Sequence, residues 1–325
     1  MFVLSALVLV LPACQMFCTD AGIWEPVADM APLEASVTCT LNTHYEKPDP
    51  LNYSEVANDA EHAYRAYESQ AAIQAEFGDD VLQSDGLASL IGLDYYIVTT
   101  KRAGREVQLV AVAGTDVYDF KDIAADLAID RVRDAVTQLD FPEGFSHAAT
   151  VIDKSLAGQL KQDVPVHFVG HSLGGALSTI LALRFSRKNF EVSATTFGAP
   201  KVTSLRSILK NPWVHELPIH RFTLDEDIFG HWPPPRDNPL NGSEALLANY
   251  AQFGQEWILT TQGRCDFRDM REALLNTSVP TQALSPSSWN LSTHAPELYV
   301  ERTQALAAPK PKRTPAPESA PPASE

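Results

Sequence analysis

The feature that most constrains this fold is a strand, a tight turn and a helix that follow one another within residues 164–189. Residues 164–169 are apolar and rich in β-branched side chains, which predicts a short buried strand. Apolar side chains recur at helical spacing over residues 176–183, and the cations and Asn189 that follow suit the negative end of a helix. The turn between strand and helix is Gly-His-Ser-Leu-Gly, which is bounded by glycine at both ends.

Ser172, at the centre of this turn, is a candidate nucleophile. A serine held between a strand and a helix has a strained backbone, so its neighbours must lack bulky side chains, and Gly170, Gly174 and Gly175 meet this requirement. The turn raises the hydroxyl above the carboxyl edge of the sheet and directs the Leu173 N–H toward a developing oxyanion. The G-x-S-x-G pattern also arises by chance in loops, but the flanking strand and helix indicate a nucleophile elbow.

The size and charge of the chain limit the classes of protein to which it can belong. Its 325 residues suffice for one large α/β domain or two small ones, and its 45% hydrophobic and 20% charged residues are typical of a globular protein with a sizeable core. The formal net charge of −16 argues against a nucleic-acid partner, which needs clustered Lys and Arg. It also argues against tight electrostatic docking on anionic membranes.

Both ends of the chain predict segments outside the folded domain. Residues 2–11 are apolar but too short to span a bilayer, and they have the length of a signal-peptide core. Cys14 follows a small residue as in a bacterial lipoprotein signal, although Pro12 is unusual there and no Lys or Arg precedes the run. We therefore expect an exported protein, with residues 1–22 as a signal peptide or lipoprotein signal. It would be secreted, periplasmic or lipid-anchored through Cys14; the alternative is a buried N-terminal strand. Residues 307–325, rich in Pro and Ala, are expected to be disordered.

The cysteines and histidines do not predict a metal site. No Cys or His spacing fits zinc, and no calcium-loop pattern occurs, so we expect no cofactor and no metal. Cys39 and Cys265 are a candidate disulfide in an oxidising compartment, a pairing that the sequence does not decide.

Periodicity predicts further helices and strands on both sides of the elbow. Residues 54–77 are predicted to form one helix with Ser54 as a candidate N-cap, and residues 145–160 another. Strands are predicted at residues 93–100 and 107–113, which would form a hairpin, and at residues 191–197 and 219–224. Beyond Pro233 we expect a long loop with short helical pieces at residues 244–253 and 266–275.

Several motifs in order along the chain resemble those of the class 3 lipases, the fungal-lipase-like branch of the α/β-hydrolases. They are VAGT at residues 112–115, Gly144-Phe145, GHSLGG at residues 170–175, TFGAPKV at residues 196–202 and RFTLDEDIFGHWPP at residues 221–234. The resemblance covers residues 59–300 and implies an α/β-hydrolase domain, residues 23–306, with a mostly parallel sheet and helices on both faces. Ala113 stands where the family usually has arginine, and Pro142 where it has histidine.

A catalytic serine requires a base and an orienting carboxylate, which follow it in this fold in the order acid, then histidine. His294 is the last histidine and the predicted base, with His231 as its rival. Three adjacent carboxylates, residues 225–227, are candidates for the acid. Strand alternation does not separate Asp225 from Asp227, but the family spacing to the Pro-Pro pair selects Asp227.

The resemblance implies a serine hydrolase that cleaves carboxylic esters of lipids, such as triacylglycerol or phospholipid acyl esters, through Ser172, Asp227 and His294. Thr115 resembles the first oxyanion residue of the family, and the Leu173 N–H is the second donor. We expect Asp116 to cap the next helix. Residues 117–127 stand at the position of the family's lid, although an ordinary core helix would have the same pattern.

Three alternatives to a lipase remain at this point. They are a soluble-ester esterase of the feruloyl type, a catalytically silent hydrolase fold used for binding, and a protease or acyltransferase with the same triad. The expected partners are a lipid or ester substrate and a transient lipid interface, while the oligomeric state is open.

Overall fold

The computed structural model describes residues 50–115, 130–233, 249–268 and 291–309. Its α-helices in these ranges are α1 (Tyr53–Arg65), α2 (Gln70–Phe77), α3 (Gly86–Leu90), α4 (Glu143–Leu156), α5 (Leu173–Arg187), α6 (Leu205–Lys210) and α7 (Pro296–Ala307). Its strands are β1 (Leu82–Gln83), β2 (Tyr95–Arg102), β3 (Arg105–Val112), β4 (Arg131–Arg133), β5 (Asp140–Pro142), β6 (Val166–His171), β7 (Val192–Phe197), β8 (Thr203–Ser204), β9 (Ile219–Leu224), β10 (Tyr250–Ala251), β11 (Gln255–Leu259) and β12 (Cys265–Arg268).

An eight-stranded sheet in the order β1-β2-β3-β6-β7-β9-β11-β12 forms the centre of the fold. Neighbouring strands from β3 to β11 are parallel, while β1, β2 and β12 pair in antiparallel fashion at the two edges. Every residue of β6 is buried, as expected of a central strand with helices on both faces. The parallel strands therefore bring their carboxyl ends, and the turns that follow them, to one edge of the sheet.

Helices cover both faces of the sheet. On one face, α4 and α5 pack through an apolar core that includes Phe145, Ile152 and Leu177. On the other face, α1 and α7 pack against Phe197 and Phe222. The mostly parallel sheet with helices on both faces confirms the predicted α/β architecture.

The elbow and its neighbouring strands lie close to where the sequence predicts them. Strand β6 is followed directly by α5, with Ser172 between them. The predicted hairpin is β2–β3, whose turn consists of Ala103 and Gly104, both at positive φ. Asn189 directly follows the C-cap residue Lys188 of α5 and has a left-handed conformation (φ 65°), as its type predicts. Arg184, one of the cations at that helix end, is buried and pairs with Asp134 at 2.6 Å.

Two predictions of secondary structure are wrong. The helix predicted over residues 54–77 is two helices, α1 and α2. The N-caps are Asn52, whose side chain accepts from Ser54 N–H, and Ser69, whose side chain accepts from Ala72 N–H. Where the structure describes the two helical pieces predicted beyond Pro233, it has the strands β10 and β12, and β11 lies in the loop predicted between them. These strands are short, and pairing with other strands determines their conformation: β10 pairs with β8, β11 with β9, and β12 with β11.

Other predictions fall partly or wholly outside the described residues. The signal segment with Cys14, the tail beyond residue 309, Asp116 and the candidate lid at residues 117–127 lie there. Cys265 is a free thiol, and Cys39, its candidate disulfide partner, lies outside the described residues. None of the described helices has the length and apolar character needed to cross a membrane.

Candidate active site

The turn between β6 and α5 has the strained geometry predicted for it. Ser172 has φ 57° and ψ −126°, a conformation that non-glycine residues rarely adopt. A Cβ atom on Gly170 would lie 2.4 Å from the Gly174 backbone, and one on Gly174 would lie 2.2 Å from the Val112 carbonyl oxygen. Both positions therefore require glycine, because the turn packs against itself and against the end of β3.

His294 and Asp227 reach this turn from two distant parts of the chain. Nε2 of His294 lies 2.7 Å from Oγ of Ser172, and Nδ1 of His294 lies 2.7 Å from Oδ2 of Asp227. Asp227 follows β9, and His294 ends the 3₁₀ turn Leu291–His294 that precedes α7. The three side chains are almost fully buried. Because the carboxylate accepts only, Nδ1 is the donor and Nε2 is left to accept the serine proton.

Of the three adjacent carboxylates, residues 225–227, Asp227 is the one that contacts His294. Asp227 accepts the Nδ1–H of His294, and its other oxygen, Oδ1, accepts the backbone N–H of Phe229 at 2.9 Å. Glu226 pairs with Arg302 at 3.1 Å, and Asp225 is exposed. The chain turns directly after β9, so the three side chains point in different directions. Strand alternation alone could not distinguish Asp225 from Asp227 because it assumes that the strand continues.

Tyr299 is part of the site, a role that the sequence did not predict. Its hydroxyl donates to Oδ2 of Asp227 at 2.6 Å and accepts the backbone N–H of Leu224 at 3.2 Å. Burial raises the pKa of Tyr299 well above its usual value, and the adjacent Asp227 carboxylate raises it further. The tyrosine therefore keeps its proton and remains a donor to the carboxylate.

His171 and Tyr67 form a second pair beside the histidine of the site. The His171 ring lies 4.6 Å from the His294 ring between centroids, and its Nδ1 lies 2.9 Å from the Tyr67 hydroxyl. Burial lowers the pKa of His171 well below its usual value, and the neighbouring His294 lowers it further. His171 is therefore neutral at physiological pH and adds no positive charge next to His294. Tyr67 lies 104 residues before His171 in the chain, so no local pattern could indicate this pair.

The end of β3 brings Thr115 close to the elbow. A Cβ on Gly114 would lie 2.8 Å from the His171 carbonyl oxygen, and Gly174 packs against Val112 and Ala113. Leu173 is the first residue of α5, so its N–H has no acceptor within the helix and lies at the positive helix end. The two predicted oxyanion residues therefore belong to segments that contact each other beside Ser172.

No group of His, Cys, Asp and Glu side chains within the described residues has the arrangement of a metal site. The contacts among Ser172, His294 and Asp227 suit proton transfer and nucleophilic attack by a hydroxyl.

The family comparison assigns the central part of the chain. Residues 109–236 match the model of the family described as lipase (class 3). No curated protein sequence matches the chain.

Solved structures share the fold at low sequence identity. A triacylglyceride lipase of Rhizomucor miehei has 18% identity and a TM-score of 0.54, with 76% of this chain and 94% of that one covered. A variant of MDLA from Penicillium cyclopium has 16% identity and a TM-score of 0.54, with 76% and 96% covered. The R. miehei lipase in complex with its propeptide has 17% identity and a TM-score of 0.52, with 76% and 84% covered.

The sheet order, the elbow after β6 and the similarity to these solved structures define the α/β-hydrolase fold. The match to the class 3 lipase family over residues 109–236 indicates a carboxylic ester hydrolase. This confirms the resemblance predicted from its motifs.

Proposed function

We propose that the protein hydrolyses acyl esters of lipids through an acyl-enzyme on Ser172. The observation that carries this proposal is the continuous chain of hydrogen bonds from the Ser172 hydroxyl through His294 to Asp227, both at 2.7 Å. A serine hydroxyl is a weak nucleophile until a base takes its proton, and the imidazole is within reach to do so. Asp227 holds the ring in the tautomer whose Nε2 accepts that proton.

The reaction proceeds in two acyl transfers. Oγ of Ser172 attacks the ester carbonyl while Nε2 of His294 takes the hydroxyl proton, which gives a tetrahedral oxyanion. The imidazolium returns that proton to the leaving alcohol as the ester C–O bond breaks, which leaves the acyl-enzyme. Water then attacks the acyl carbonyl, His294 takes its proton and passes it to Oγ, and the carboxylic acid leaves. Asp227 stabilises the imidazolium in both halves.

The backbone N–H groups of Thr115 and Leu173 are proposed to bind the oxyanion. The Leu173 N–H is supported by its position at the start of α5, and Thr115 by the packing of the preceding residues against the elbow. Donors of this kind stabilise charge as it develops, and the loss of one typically costs about 10²–10³-fold in turnover.

A fluorophosphonate probe tests the assignment of the nucleophile, because only an activated serine reacts with it. We expect the wild-type protein to be labelled and Ser172→Ala to be unlabelled, with ester turnover lower by at least ~10³-fold. The matched control is Ser178→Ala on the same helix, whose hydroxyl donates to the Val169 carbonyl and takes no part in the site. Near-normal turnover of Ser172→Ala would contradict the proposal, and an unlabelled wild-type protein would favour the silent binding fold.

A panel of esters of increasing chain length separates a lipase from a soluble-ester esterase. A lipase should gain rate when a long-chain ester passes its solubility limit, because its substrate is the aggregate. Smooth saturation with a preference for short soluble esters would identify an esterase of the feruloyl type.

A further inference from the structure

The short helix α3 and its C-cap residue Ile91 expose three large apolar side chains. Leu87, Leu90 and Ile91 are 59%, 84% and 53% exposed, and their spacing of three and four residues places them on one face, here called the apolar face of α3. The opposite side is anchored, because Ala88 is buried and its carbonyl accepts the Leu93 N–H at 2.9 Å. Single exposed leucines are ordinary on protein surfaces, but three adjacent ones on an anchored helix indicate an interaction surface.

A first chain of contacts connects this helix to the active site. The Gln70 side-chain amide donates to the Ser89 hydroxyl of α3 at 3.3 Å. Gln70 begins α2, directly after the turn that contains Tyr67, whose hydroxyl lies 2.9 Å from Nδ1 of His171. His171 is the neighbour of Ser172, so α3 stands beside the same end of α1 that contacts the elbow.

A second chain of contacts reaches the oxyanion segment. The Ala113 N–H donates to the Asp94 carbonyl at 2.9 Å, just after α3 and just before Thr115. Asp94 is three positions after Ile91 and Thr115 is two positions after Ala113, so Ile91 lies within roughly 25 Å of Thr115. The apolar face of α3 and the candidate oxyanion hole thus share the carboxyl edge of the sheet.

The charges around α3 indicate which partner its apolar face accepts. Residues 69–94 contain five carboxylates and no Lys, Arg or His. Helix α4 adds the exposed Lys154 nearby, next to Ser155, whose hydroxyl donates to Asp85 at 3.1 Å, but this rim stays net negative and is repelled by anionic lipid headgroups. An apolar face in an acidic rim therefore suits an uncharged or zwitterionic lipid surface.

We propose that the apolar face of α3 docks the enzyme on neutral or zwitterionic lipid aggregates, with the carboxyl edge of the sheet turned toward the lipid. Docking would concentrate the enzyme at its substrate without any contact between these side chains and the reacting atoms. The proposal deepens the proposed lipase function and rests on it for the identity of the aggregate, but docking itself does not require a reactive Ser172.

Binding is measured on the Ser172→Ala protein, so that no lipid is hydrolysed. We expect it to float with phosphatidylcholine vesicles that carry triolein, and the further changes Leu90→Gln and Ile91→Gln to weaken this partitioning by about tenfold or more. The control is Val136→Gln, since Val136 is an exposed apolar residue (38%) on the turn between β4 and β5. Phosphatidylglycerol added to the vesicles should weaken binding, because the rim is acidic.

Kinetics of the active enzyme give a second readout. The Leu90→Gln, Ile91→Gln variant should need about tenfold more emulsion surface for half-maximal rate, while its turnover of a soluble short-chain ester and its fluorophosphonate labelling stay within about twofold of wild type. Equal flotation of variant and control would overturn the proposal, even if labelling establishes the hydrolase. A dimer in sedimentation that the double change converts to monomer would also overturn it, because the face would then bind a second copy of the chain.

Discussion

The hydroxyl of Tyr299 lies 2.6 Å from Oδ2 of Asp227, the same carboxylate oxygen that accepts Nδ1–H of His294. Two donors thus converge on one oxygen, while Oδ1 accepts the Phe229 N–H. The carboxylate is held from several directions and cannot rotate away from the imidazole without breaking these bonds.

Replacement of Tyr299 by phenylalanine should affect both turnover and stability. The carboxylate loses a donor, and the buried Leu224 N–H loses its acceptor. We expect kcat to fall by about tenfold and the free energy of unfolding by about 1–3 kcal/mol. Ester turnover and urea denaturation measure the two effects. The control is Tyr96→Phe, which removes a buried hydroxyl 2.8 Å from Nδ1 of His62 and should cost stability alone. An equal kcat in both variants would show that Tyr299 has no positioning role.

Gly198→Ala should disrupt the site by direct contact. A Cβ there would lie 2.8 Å from Oδ2 of Asp227, 2.9 Å from the Tyr299 hydroxyl and 3.0 Å from Cε1 of His294. We expect turnover to fall by about 10²-fold, since small displacements of catalytic groups have effects of that size.

The control for this change is Gly158→Ala. Gly158 also has positive φ (84°, against 57° at Gly198), but no atom would lie within 4 Å of its Cβ. It should lose about 1 kcal/mol of stability and keep its turnover. A similar loss of turnover in both variants would attribute the effect of Gly198→Ala to backbone strain instead of contact.

The stability of the protein should depend on pH through histidines outside the site. Burial lowers the pKa of His62 and of His220 to about 4. The unfolded chain has a histidine pKa of about 6.5, so between these values it binds more protons than the native state. The contribution of these histidines to the free energy of unfolding is therefore fully present above about pH 6.5. It decreases as the pH drops toward about 4, by on the order of 1–3 kcal/mol for each histidine.

Thermal unfolding at a series of pH values measures this dependence. The His220→Gln variant should show a smaller decrease in Tm on acidification than the wild type, because one such proton uptake is removed. His147→Gln is the control, since His147 is exposed. Identical pH profiles for wild type and His220→Gln would contradict the assignment of His220 as a buried neutral base.

Local patterns predicted the elbow because its requirements are local. The backbone at Ser172 and the close approaches at Gly170 and Gly174 are demands on consecutive residues, so the residue types themselves indicate the geometry. The β2–β3 hairpin was predicted from the same kind of local signal. The bounds predicted for β9, residues 219–224, are those that the structure has. The resemblance to the family extended this to Asp227 and His294 as candidates, and the structure brings both into contact with the elbow.

Patterns along the chain failed where contacts between distant segments decide the outcome. Strands β11 and β12 are short, and their conformation depends on the pairing of β11 with β9 and of β12 with β11. Tyr67 and Tyr299 join the site through hydrogen bonds to residues 104 and 72 positions away, respectively. The apolar spacing of α3 is visible in the sequence, but only the fold shows that this face is exposed and lies at the carboxyl edge of the sheet.

The amino-acid sequence by itself determined the strand–turn–helix that carries Ser172, because sterics within a few residues leave that segment one arrangement. Only the tertiary structure decided which carboxylate faces the imidazole, which tyrosine holds that carboxylate and which apolar side chains remain in water. These outcomes depend on where the parallel strands end relative to one another, and that relation exists only once the sheet has formed.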